Sequence, residues 1–333
     1  MGRGWRRRAL GVAAWALALL LGLVWSSGAD VWADGPRRLT TPVENIQLPA
    51  DRPVRVAVIG DIQNGLSECS DLLALTRTLK PDLILQLGDI VNHASPGRYA
   101  ALHGVFREHG FEVPVLSVPG NHDLDRSNQL GHYETWIGPT QWRIDLHGWR
   151  ILGLNNAAGP LTPPSLEILK ASGAHPPDRG LVVVAHRPLE ASLEPRPSIV
   201  LSGHVHSSRD FVDEHGTRHF HHGNNCDRSH DNTPNEPPSV GILTLGRNSF
   251  DWSVRSIPRR VKLREEFRRL AGGSVYPVIR AAPAAFIAAI LLLIVAGTWP
   301  PTALAAEHEG RRARSDDQAN AYQSSARHSC ACA

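Results

Sequence analysis

The sequence predicts an α/β fold, because strands and helices alternate in its central part and polar clusters follow the predicted strands. Short apolar runs over residues 54–59, 83–87 and 113–118 predict strands, and helical stripes over 69–80 and 97–110 separate them. This order is typical of a parallel sheet. In such a sheet, side chains just past the carboxyl ends of the strands line the ligand crevice.

The following segment contains more predicted strand than helix. Residues 142–145 and 149–154 are typical of a hairpin, and residues 166–170 predict a helix. Five further apolar stretches predict strands over 181–185, 198–202, 209–213, 217–221 and 240–254. We therefore expect one central domain over residues 50–254.

Both ends of the chain differ from this centre. Residues 1–35 place arginines before an apolar run and then small residues, which is the order of a secretory signal peptide or an uncleaved signal anchor. A second apolar run over 281–299 has about the 20 residues that a membrane helix needs. Residues 255–280 are predicted as a basic juxtamembrane linker, and residues 300–333 as a polar disordered tail.

These ends predict a membrane-associated protein whose central domain lies outside the cytoplasm. The arginines of residues 255–280 favour the opposite orientation, so the sequence leaves the topology of the second helix open. A formal net charge of +3 gives no reason to expect a nucleic-acid partner, because the basic residues cluster where lipid head groups are the natural counterions. With four cysteines the chain is not a disulfide-built fold, and a Cys69–Cys226 bridge stays open.

Five short clusters of acids, amides and histidines lie between Asp61 and His206, most of them directly after a predicted strand. They are Gly60-Asp61-Ile62-Gln63, Gly88-Asp89-Ile90-Val91-Asn92, Gly120-Asn121-His122-Asp123, Ala185-His186-Arg187-Pro188 and Gly203-His204-Val205-His206. Hard oxygen ligands mixed with imidazoles are what a site for two divalent cations needs. An i, i+2 spacing brings Asp61 and Gln63 to one face wherever the backbone is extended. The same holds for His204 and His206.

In type and order, these clusters resemble the signature of the calcineurin-like metallophosphoesterase family. That signature is Asp-x-His, Gly-Asp-x-x-Asp/Asn, Gly-Asn-His-Asp/Glu, a histidine after a strand, and Gly-His-x-His. The resemblance covers roughly residues 54–254. It implies a β-sandwich flanked by helices, and a phosphoric ester hydrolase with two divalent metal ions, for which Mn, Fe, Zn and Mg all stay open.

The resemblance also implies a role for each matching residue. The first metal would be bound by Asp61, Gln63, Asp89 and His206, and the second by Asp89, Asn121, His186 and His204. His122 would be the acid or hydrogen-bond donor at the leaving group, with Asp123 orienting it, and a metal-bridging hydroxide the nucleophile. The expected ligand is a phosphorylated small molecule or a lipid head group, hydrolysed at a phosphomonoester, phosphodiester or pyrophosphate bond.

Gln63 departs from the family pattern, in which histidine is usual at this position. A carboxamide oxygen is a neutral hard donor, so it can ligate the same metals more weakly than imidazole. Some branches, similar to the manganese-dependent ADP-ribose/CDP-alcohol diphosphatases, carry a like Asp-x-Gln. The departure leaves a second hypothesis open, in which a degenerate member binds a phosphorylated ligand or a protein without turnover.

Several other residues have two interpretations in the sequence. His93, Arg126 and Tyr133 follow the second and third clusters and are candidates for substrate contact, with solvated loop positions as the alternative. A histidine-rich stretch is either an extra metal site or a set of ordinary strand and loop histidines. Its members are His215, His219, His221, His222 and His230.

Overall fold

The computed structural model describes residues 9–23, 36–110, 112–189, 193–223, 226, 236–247, 249–276 and 281–298. The chain divides into two compact units, one made of residues 1–23 and 282–333, the other of residues 24–281. The described part of the first unit consists of helix α1, over residues 9–23, and helix α7, Pro283–Thr298.

Helices and strands of the second unit follow the predicted order. The described helices are α2 (Leu66–Leu79), α3 (Pro96–Glu108), α4 (Gly131–Trp136), α5 (Pro163–Ala174) and α6 (Leu263–Leu270), the last continued by a π-helical turn, Ala271–Val275. The described strands are β1 (Val54–Ile59), β2 (Leu83–Gln86), β3 (Val115–Ser117), β4 (Trp142–Leu146), β5 (Trp149–Gly153), β6 (Gly180–Ala185), β7 (Ile199–Ser202), β8 (Ser208–Val212), β9 (Arg218–His222), β10 (Ser239–Leu245) and β11 (Phe250–Ser256). The predicted run 240–254 is thus a hairpin of two strands.

In the described residues these strands form two mixed sheets. One sheet has the order β11-β10-β1-β2-β3, and the other has the order β4-β5-β6-β7-β9-β8. Strands β1, β2 and β3 run parallel, as predicted, and so do β5, β6, β7 and β9. The other neighbouring strands pair antiparallel: β1 with β10, β10 with β11, β4 with β5, and β8 with β9. The alternating pattern of residues 54–118 did not indicate these antiparallel pairs.

Alternation along β1 explains how the sheets pack. Val54, Val56 and Val58 face the second sheet and join one core with residues of β6 and β7. Ala57 and Ile59 point the other way, into a core shared with α2, α3 and α4. A third core lies between the second sheet and α5. The domain is therefore a β-sandwich with helices on both outer faces, as the resemblance implied.

The predicted basic linker, residues 255–280, is wrong for the part that the structure describes. Helix α6 lies against α2 and α3, and Ala271 and Tyr276 are buried in the adjoining core. Arg268 is fully buried, where it donates to Glu265 and Glu108. The basic residues suggested a lipid-facing flank, but acids on the same helix and on α3 neutralise part of that charge.

The predicted membrane helix is not supported. Among the described residues, no helix combines the length and the apolar character needed to cross a bilayer. Helix α7 has 16 residues, fewer than the approximately 20 that a hydrocarbon core requires. The rest of the predicted signal, residues 1–8 and 24–35, and the predicted tail, residues 300–333, lie outside the described residues.

Candidate metal centre

The carboxyl ends of parallel strands from both sheets meet at one edge of the sandwich. In the first sheet, Asp61 and Gln63 follow β1, Asp89 follows β2, and Asn121 follows β3. In the second sheet, His186 follows β6, while His204 and His206 follow β7. All seven predicted metal ligands are therefore brought to the same place by the strand order.

Three of these residues form the first ligand group: Asp61, Asp89 and His206. Each offers one ligand atom, and these atoms lie within 4.8 Å of one another. Asp61 Oδ1 is 3.4 Å from His206 Nε2, so this group joins the two sheets. Both carboxylates are completely or almost completely buried, which makes their charge costly without a cation.

The second ligand group is Asp89, His186 and His204, under the same 4.8 Å criterion. His186 Nε2 lies 3.4 Å from Asp89 Oδ2 and 3.0 Å from Asn121 Oδ1, which places the predicted amide ligand beside this group. Asp89 belongs to both groups. A carboxylate shared in this way is what holds two divalent ions close together.

Gln63 lies against both a carboxylate and an imidazole of the first ligand group. Its Nε2 is 3.2 Å from Asp89 Oδ2 and 3.3 Å from His206 Nε2. Its Oε1 is buried and has no hydrogen-bond partner in the described residues. A buried carbonyl oxygen without a donor is uncommon, and a cation satisfies it as a donor would. The residues present therefore fit a divalent ion here.

The backbone around the ligands is left-handed rather than extended. Of eight non-glycine residues with positive φ among the described residues, five are predicted ligands: Asp61 (49°), Gln63 (46°), Asp89 (53°), His204 (68°) and His206 (53°). This conformation costs about 1–2 kcal/mol per residue and clusters at functional sites. The condition under which an i, i+2 pair shares one face, an extended backbone, is therefore not met, although both members of each pair still reach the centre.

Glycines allow the chain to approach the ligands closely, as their positions in the clusters predict. A Cβ added at Gly203 would lie 2.5 Å from Asp61 Oδ2, and one at Gly120 would collide with Asp89. In the actual backbone, the His204 amide donates to Asp61 and the His122 amide donates to Asp89 Oδ1 at 2.8 Å. Side chains at these two positions would push the loops away from the carboxylates.

His122 lies beside the shared carboxylate, with Nε2 4.0 Å from Asp89 Oδ2. Its Nδ1 is 2.7 Å from the Asn92 carbonyl oxygen, which can only accept, so Nδ1 carries a proton. The Asn92 carbonyl therefore orients the ring in this structure, and the orienting role of Asp123 stays a prediction. The Asp123 carboxylate accepts from the Gly120 amide and the Tyr99 hydroxyl, which fixes the loop backbone.

The two histidines of the second ligand group have pKa values shifted in opposite directions. Burial opposes the charged form of His186, but the neighbouring Asp89 raises its pKa above the ordinary value. The same contact lowers the pKa of Asp89, against the effect of burial. Burial next to His186 and Arg187 lowers the pKa of His204 to about 4. His204 is therefore neutral at physiological pH, whereas a metal ion at His186 would have to displace a proton.

Burial also affects the pKa of Asp123, which is completely buried next to the candidate metal centre. Burial and the neighbouring Asp89 raise the pKa of Asp123 to about 7, although amide donors from Gly120 and Ile90 favour the charged form.

Two residues at the rim were not assigned a role from the sequence. Arg187 Nη1 lies 3.0 Å from His204 Nε2, and its backbone is held on both sides by the Asn156 side chain. The arginine follows His186 directly, so its adjacency to a predicted ligand was the available signal. Nothing in the sequence indicated a role for Asn156, because only the pairing of β5 with β6 brings it beside Arg187.

The other candidates from the sequence have separate outcomes. Tyr133 is completely buried in a core cluster, so of its possible roles the structure favours core packing over substrate contact. His93 and Arg126 are exposed, and the His93 ring stacks on His122 at 6.1 Å. In the described residues no metal-type group includes a member of the histidine-rich stretch, and His230 lies outside them. Cys69 and Cys226 are both buried free thiols.

Residues 54–208 match the family model described as calcineurin-like phosphoesterase. The resemblance to that family is therefore confirmed over this part of the chain. It contains all seven predicted ligands, and the phosphoesterase fold with two mixed sheets extends beyond it to β11.

Two curated relatives are phosphodiesterases by name. A probable cyclic nucleotide phosphodiesterase from Fibrobacter succinogenes is 30% identical over 110 residues, covering 32% of this chain and 42% of that protein. The 3',5'-cyclic adenosine monophosphate phosphodiesterase CpdA from Escherichia coli K12 is 24% identical over 246 residues, covering 64% of this chain and 85% of that protein. The chain thus spans less than half the length of the first relative and most of the second.

Solved structures also resemble this chain. A dimetal phosphatase from Danio rerio aligns with a TM-score of 0.43 and 14% identity, covering 61% of this chain and 99% of that one. Purple acid phosphatase PPD1 from yellow lupin aligns with a TM-score of 0.45 and 15% identity, over 67% of this chain and 53% of that one.

Proposed function

We propose that the protein is a metal-dependent phosphoesterase that hydrolyses a phosphomonoester, phosphodiester or pyrophosphate bond with two divalent cations. The observation that carries this proposal is that Asp89 belongs to both ligand groups, with His122 Nε2 only 4.0 Å from its Oδ2. A binding module has no need for a shared carboxylate together with a proton donor. The match to the phosphoesterase family supports the same reaction class.

The two cations would be held by residues of both sheets. Asp61, Gln63, Asp89 and His206 would hold one ion. Asp89, Asn121, His186 and His204 would hold the other. Bound there, two divalent ions polarise a phosphoryl oxygen, lower the pKa of water and orient the substrate. Mn, Fe, Zn and Mg all suit a set of carboxylate, amide and imidazole ligands.

His122 is the residue that we assign to the leaving group. The Asn92 carbonyl fixes the Nδ1 proton and turns Nε2 towards the shared carboxylate. The His122 side chain is 23% exposed, so a substrate can reach it. In the imidazolium form, Nε2 donates a proton to the departing oxygen.

Arg187 is the second residue that we expect to contact the substrate. Its guanidinium lies at the rim, 3.0 Å from His204 Nε2, and the Ala157 carbonyl accepts from its Nε. A guanidinium fixed in this way stabilises negative charge on a transferring phosphoryl group. Asn156 holds the Arg187 backbone, so the arginine is positioned before any substrate binds.

The names of two curated relatives suggest which substrate class to test first. Because two curated relatives are named for cyclic nucleotide phosphodiester hydrolysis, we propose cyclic nucleotides as the first substrates to test. Phosphorylated small molecules and lipid head groups remain part of the proposal. A location outside the cytoplasm at a membrane also remains a prediction, since it depends on the ends of the chain.

The test is a hydrolysis assay on the purified full chain with Mn²⁺ or Mg²⁺. The panel contains a monoester, cyclic and linear diesters, and a diphosphate. We expect turnover of at least one of them, and His122→Ala lowers kcat by about 10²–10⁴-fold with a small change in KM, because proton donation acts in the transition state. The matched control is His215→Ala, at a histidine that is 38% exposed and belongs to neither ligand group.

The second candidate is a non-catalytic member that binds a phosphorylated ligand or a partner protein. It is favoured by Gln63, whose amide replaces the imidazole of the family pattern. This hypothesis predicts binding of metal and ligand without hydrolysis of any substrate in the panel. If His122→Ala also leaves ligand affinity unchanged, the catalytic proposal is wrong.

A further inference from the structure

A small basic pocket adjoins the candidate metal centre. Its cavity volume is about 70 Å³, and its lining includes Gln63, Asn64, Arg98 and Arg269. Gln63 belongs to both places, because the same side chain contacts Asp89 through Nε2 at 3.2 Å. The pocket is thus separated from the shared carboxylate by one side chain.

Arg98 is the residue that gives the pocket its chemistry. It lies in the first turn of α3, and its Nη1 is buried without a hydrogen-bond acceptor in the described residues. A buried guanidinium nitrogen without an acceptor is costly, since it loses its water and gains no partner. A phosphate oxygen is the acceptor that a planar guanidinium fits best.

Charge around this nitrogen is unbalanced. Burial and the positive charge of Arg269 lower the pKa of Arg98. Arg269 has a carboxylate partner, Glu266 at 3.0 Å, but none of the described residues that line the pocket is acidic. One guanidinium charge is therefore left for a ligand to neutralise.

His93 interacts with both Arg98 and His122. Burial lowers the pKa of His93, and the charges of Arg98, His122 and Arg126 lower it further, so the neutral ring is favoured. The ring stacks on His122. His93 thus connects the proposed leaving-group donor to Arg98, and Arg98 is the cation that a second anionic group on the same substrate would meet.

We propose that the pocket formed by Gln63, Asn64, Arg98 and Arg269 is a phosphate subsite, distinct from the position of the bond that is cleaved. It takes either a second phosphate of the substrate or the inorganic phosphate product. Arg98 is the specificity-determining residue, with Arg269 supplying further positive charge. Assignment of the bound phosphate to substrate or product rests on the proposed hydrolytic function, whereas binding of phosphate does not.

The primary test measures thermal unfolding of the full chain in EDTA, with and without inorganic phosphate. At phosphate well above its dissociation constant, we expect the midpoint to rise by about 2–4 °C. Arg98→Gln should abolish this shift. Gly273→Asp should abolish it too, because a Cβ there would lie 3.6 Å from Arg98 Nε with no closer atom, so the new carboxylate occupies the guanidinium.

Arg264→Gln is the matched control. Arg264 lies on α6 like Arg269, is 64% exposed and pairs with Glu108, but does not line the pocket. It should keep the full phosphate shift. A variant that fails to fold is recognised by its unfolding curve without phosphate. An unchanged shift in folded Arg98→Gln or folded Gly273→Asp overturns the subsite, whether or not any substrate is hydrolysed.

Kinetics with Mn²⁺ then separate the two sources of phosphate. For a second substrate phosphate, Arg98→Gln should raise KM for a bisphosphorylated substrate at least about tenfold and leave KM for a monophosphate ester unchanged. For the product, the inhibition constant of inorganic phosphate should rise by a similar factor with both KM values unchanged. Either pattern supports the subsite, and equal effects on kcat for all substrates contradict it.

Discussion

The two sheets contribute different chemistry to the same centre. The oxygen ligands that we predict all come from the first sheet, from loops after β1, β2 and β3: Asp61, Gln63, Asp89 and Asn121. The predicted imidazole ligands come from the second sheet, from the residues that follow β6 and β7. Neither sheet alone has a complete ligand set for an ion. The sandwich must therefore be assembled before the centre exists, and metal binding is coupled to packing of the sheets.

The predicted ligands also differ in burial. The carboxylates of the first sheet are buried and accept backbone amides of His122 and His204. In the second sheet His186 and His206 are buried too, whereas His204 is half-buried beside Arg187, which links it to the rim. We infer that His204, rather than the second sheet as a whole, connects the centre to the substrate.

The largest expected effect comes from a substitution of Asp89, the residue shared by both ligand groups. Asp89→Asn removes the negative charge that both ligand groups use, while keeping the size of the side chain. We expect kcat/KM to fall at least about a thousandfold, or about 4 kcal/mol in the activation barrier. Metal analysis of the purified variant should find that both ions are lost.

Glu214→Gln serves as the control for this loss of charge, because Glu214 is an 81% exposed carboxylate near a hairpin tip. It should retain full activity and metal content. An Asp89→Asn protein that keeps one ion at wild-type affinity would show that the two groups are independent sites, and the bridging interpretation would then be abandoned.

Residue type and spacing were enough to predict which side chains come together, because strand ends in a parallel arrangement converge whatever connects them. They were not enough to predict the backbone at Asp61, Gln63, His204 and His206, which is left-handed because surrounding contacts impose it. The role of the Asn92 carbonyl was hidden for a different reason. Every residue has a carbonyl, so a backbone acceptor leaves no mark in the sequence.

Segments near the chain ends gave the weakest predictions. Composition treats the arginines of α6 as one basic run, but Arg268 is paired with Glu108, 160 positions earlier in the chain. Such long-range pairing is invisible to a count of charges. The core packing of Tyr133 was hidden for a related reason, since a short polar stretch gave no indication that α4 packs into the core.

The next largest expected effect is a pH dependence of metal affinity, and it concerns His186, a predicted ligand from the second sheet. His186 has a raised pKa in the metal-free protein, so it is charged at pH values where a free histidine is neutral. A metal ion would have to displace that proton, so affinity should rise about tenfold per pH unit up to the folded pKa of about 9 and level off above it. Metal titrations at several pH values check this slope.

Stability of the metal-free protein should change in the opposite direction. A histidine whose folded pKa is raised stabilises the protein fully below its unfolded pKa, and that contribution is lost as pH rises through the folded pKa. In EDTA, the unfolding midpoint should therefore fall as pH rises above about 6.5, and Mn²⁺ should reverse the fall. His186→Asn should remove the dependence, whereas His215→Asn should leave it. A midpoint that rises with pH in EDTA would contradict the charged state of His186.

The smallest expected effect tests whether the amide in the first sheet limits the first metal ion. Gln63→His restores the imidazole of the family pattern at a left-handed position, φ 46°, which histidine tolerates better than most residues. We expect affinity for the first ion to rise by up to about tenfold, because imidazole is a stronger ligand than a carboxamide for these metals. Calorimetric titration with Mn²⁺ would resolve the two ions, and the second should be unaffected. Gln63→Leu, which cannot ligate, is the companion variant and should weaken the first ion alone. If Gln63→His and Gln63→Leu both bind two ions like the unmodified protein, Gln63 is not a ligand.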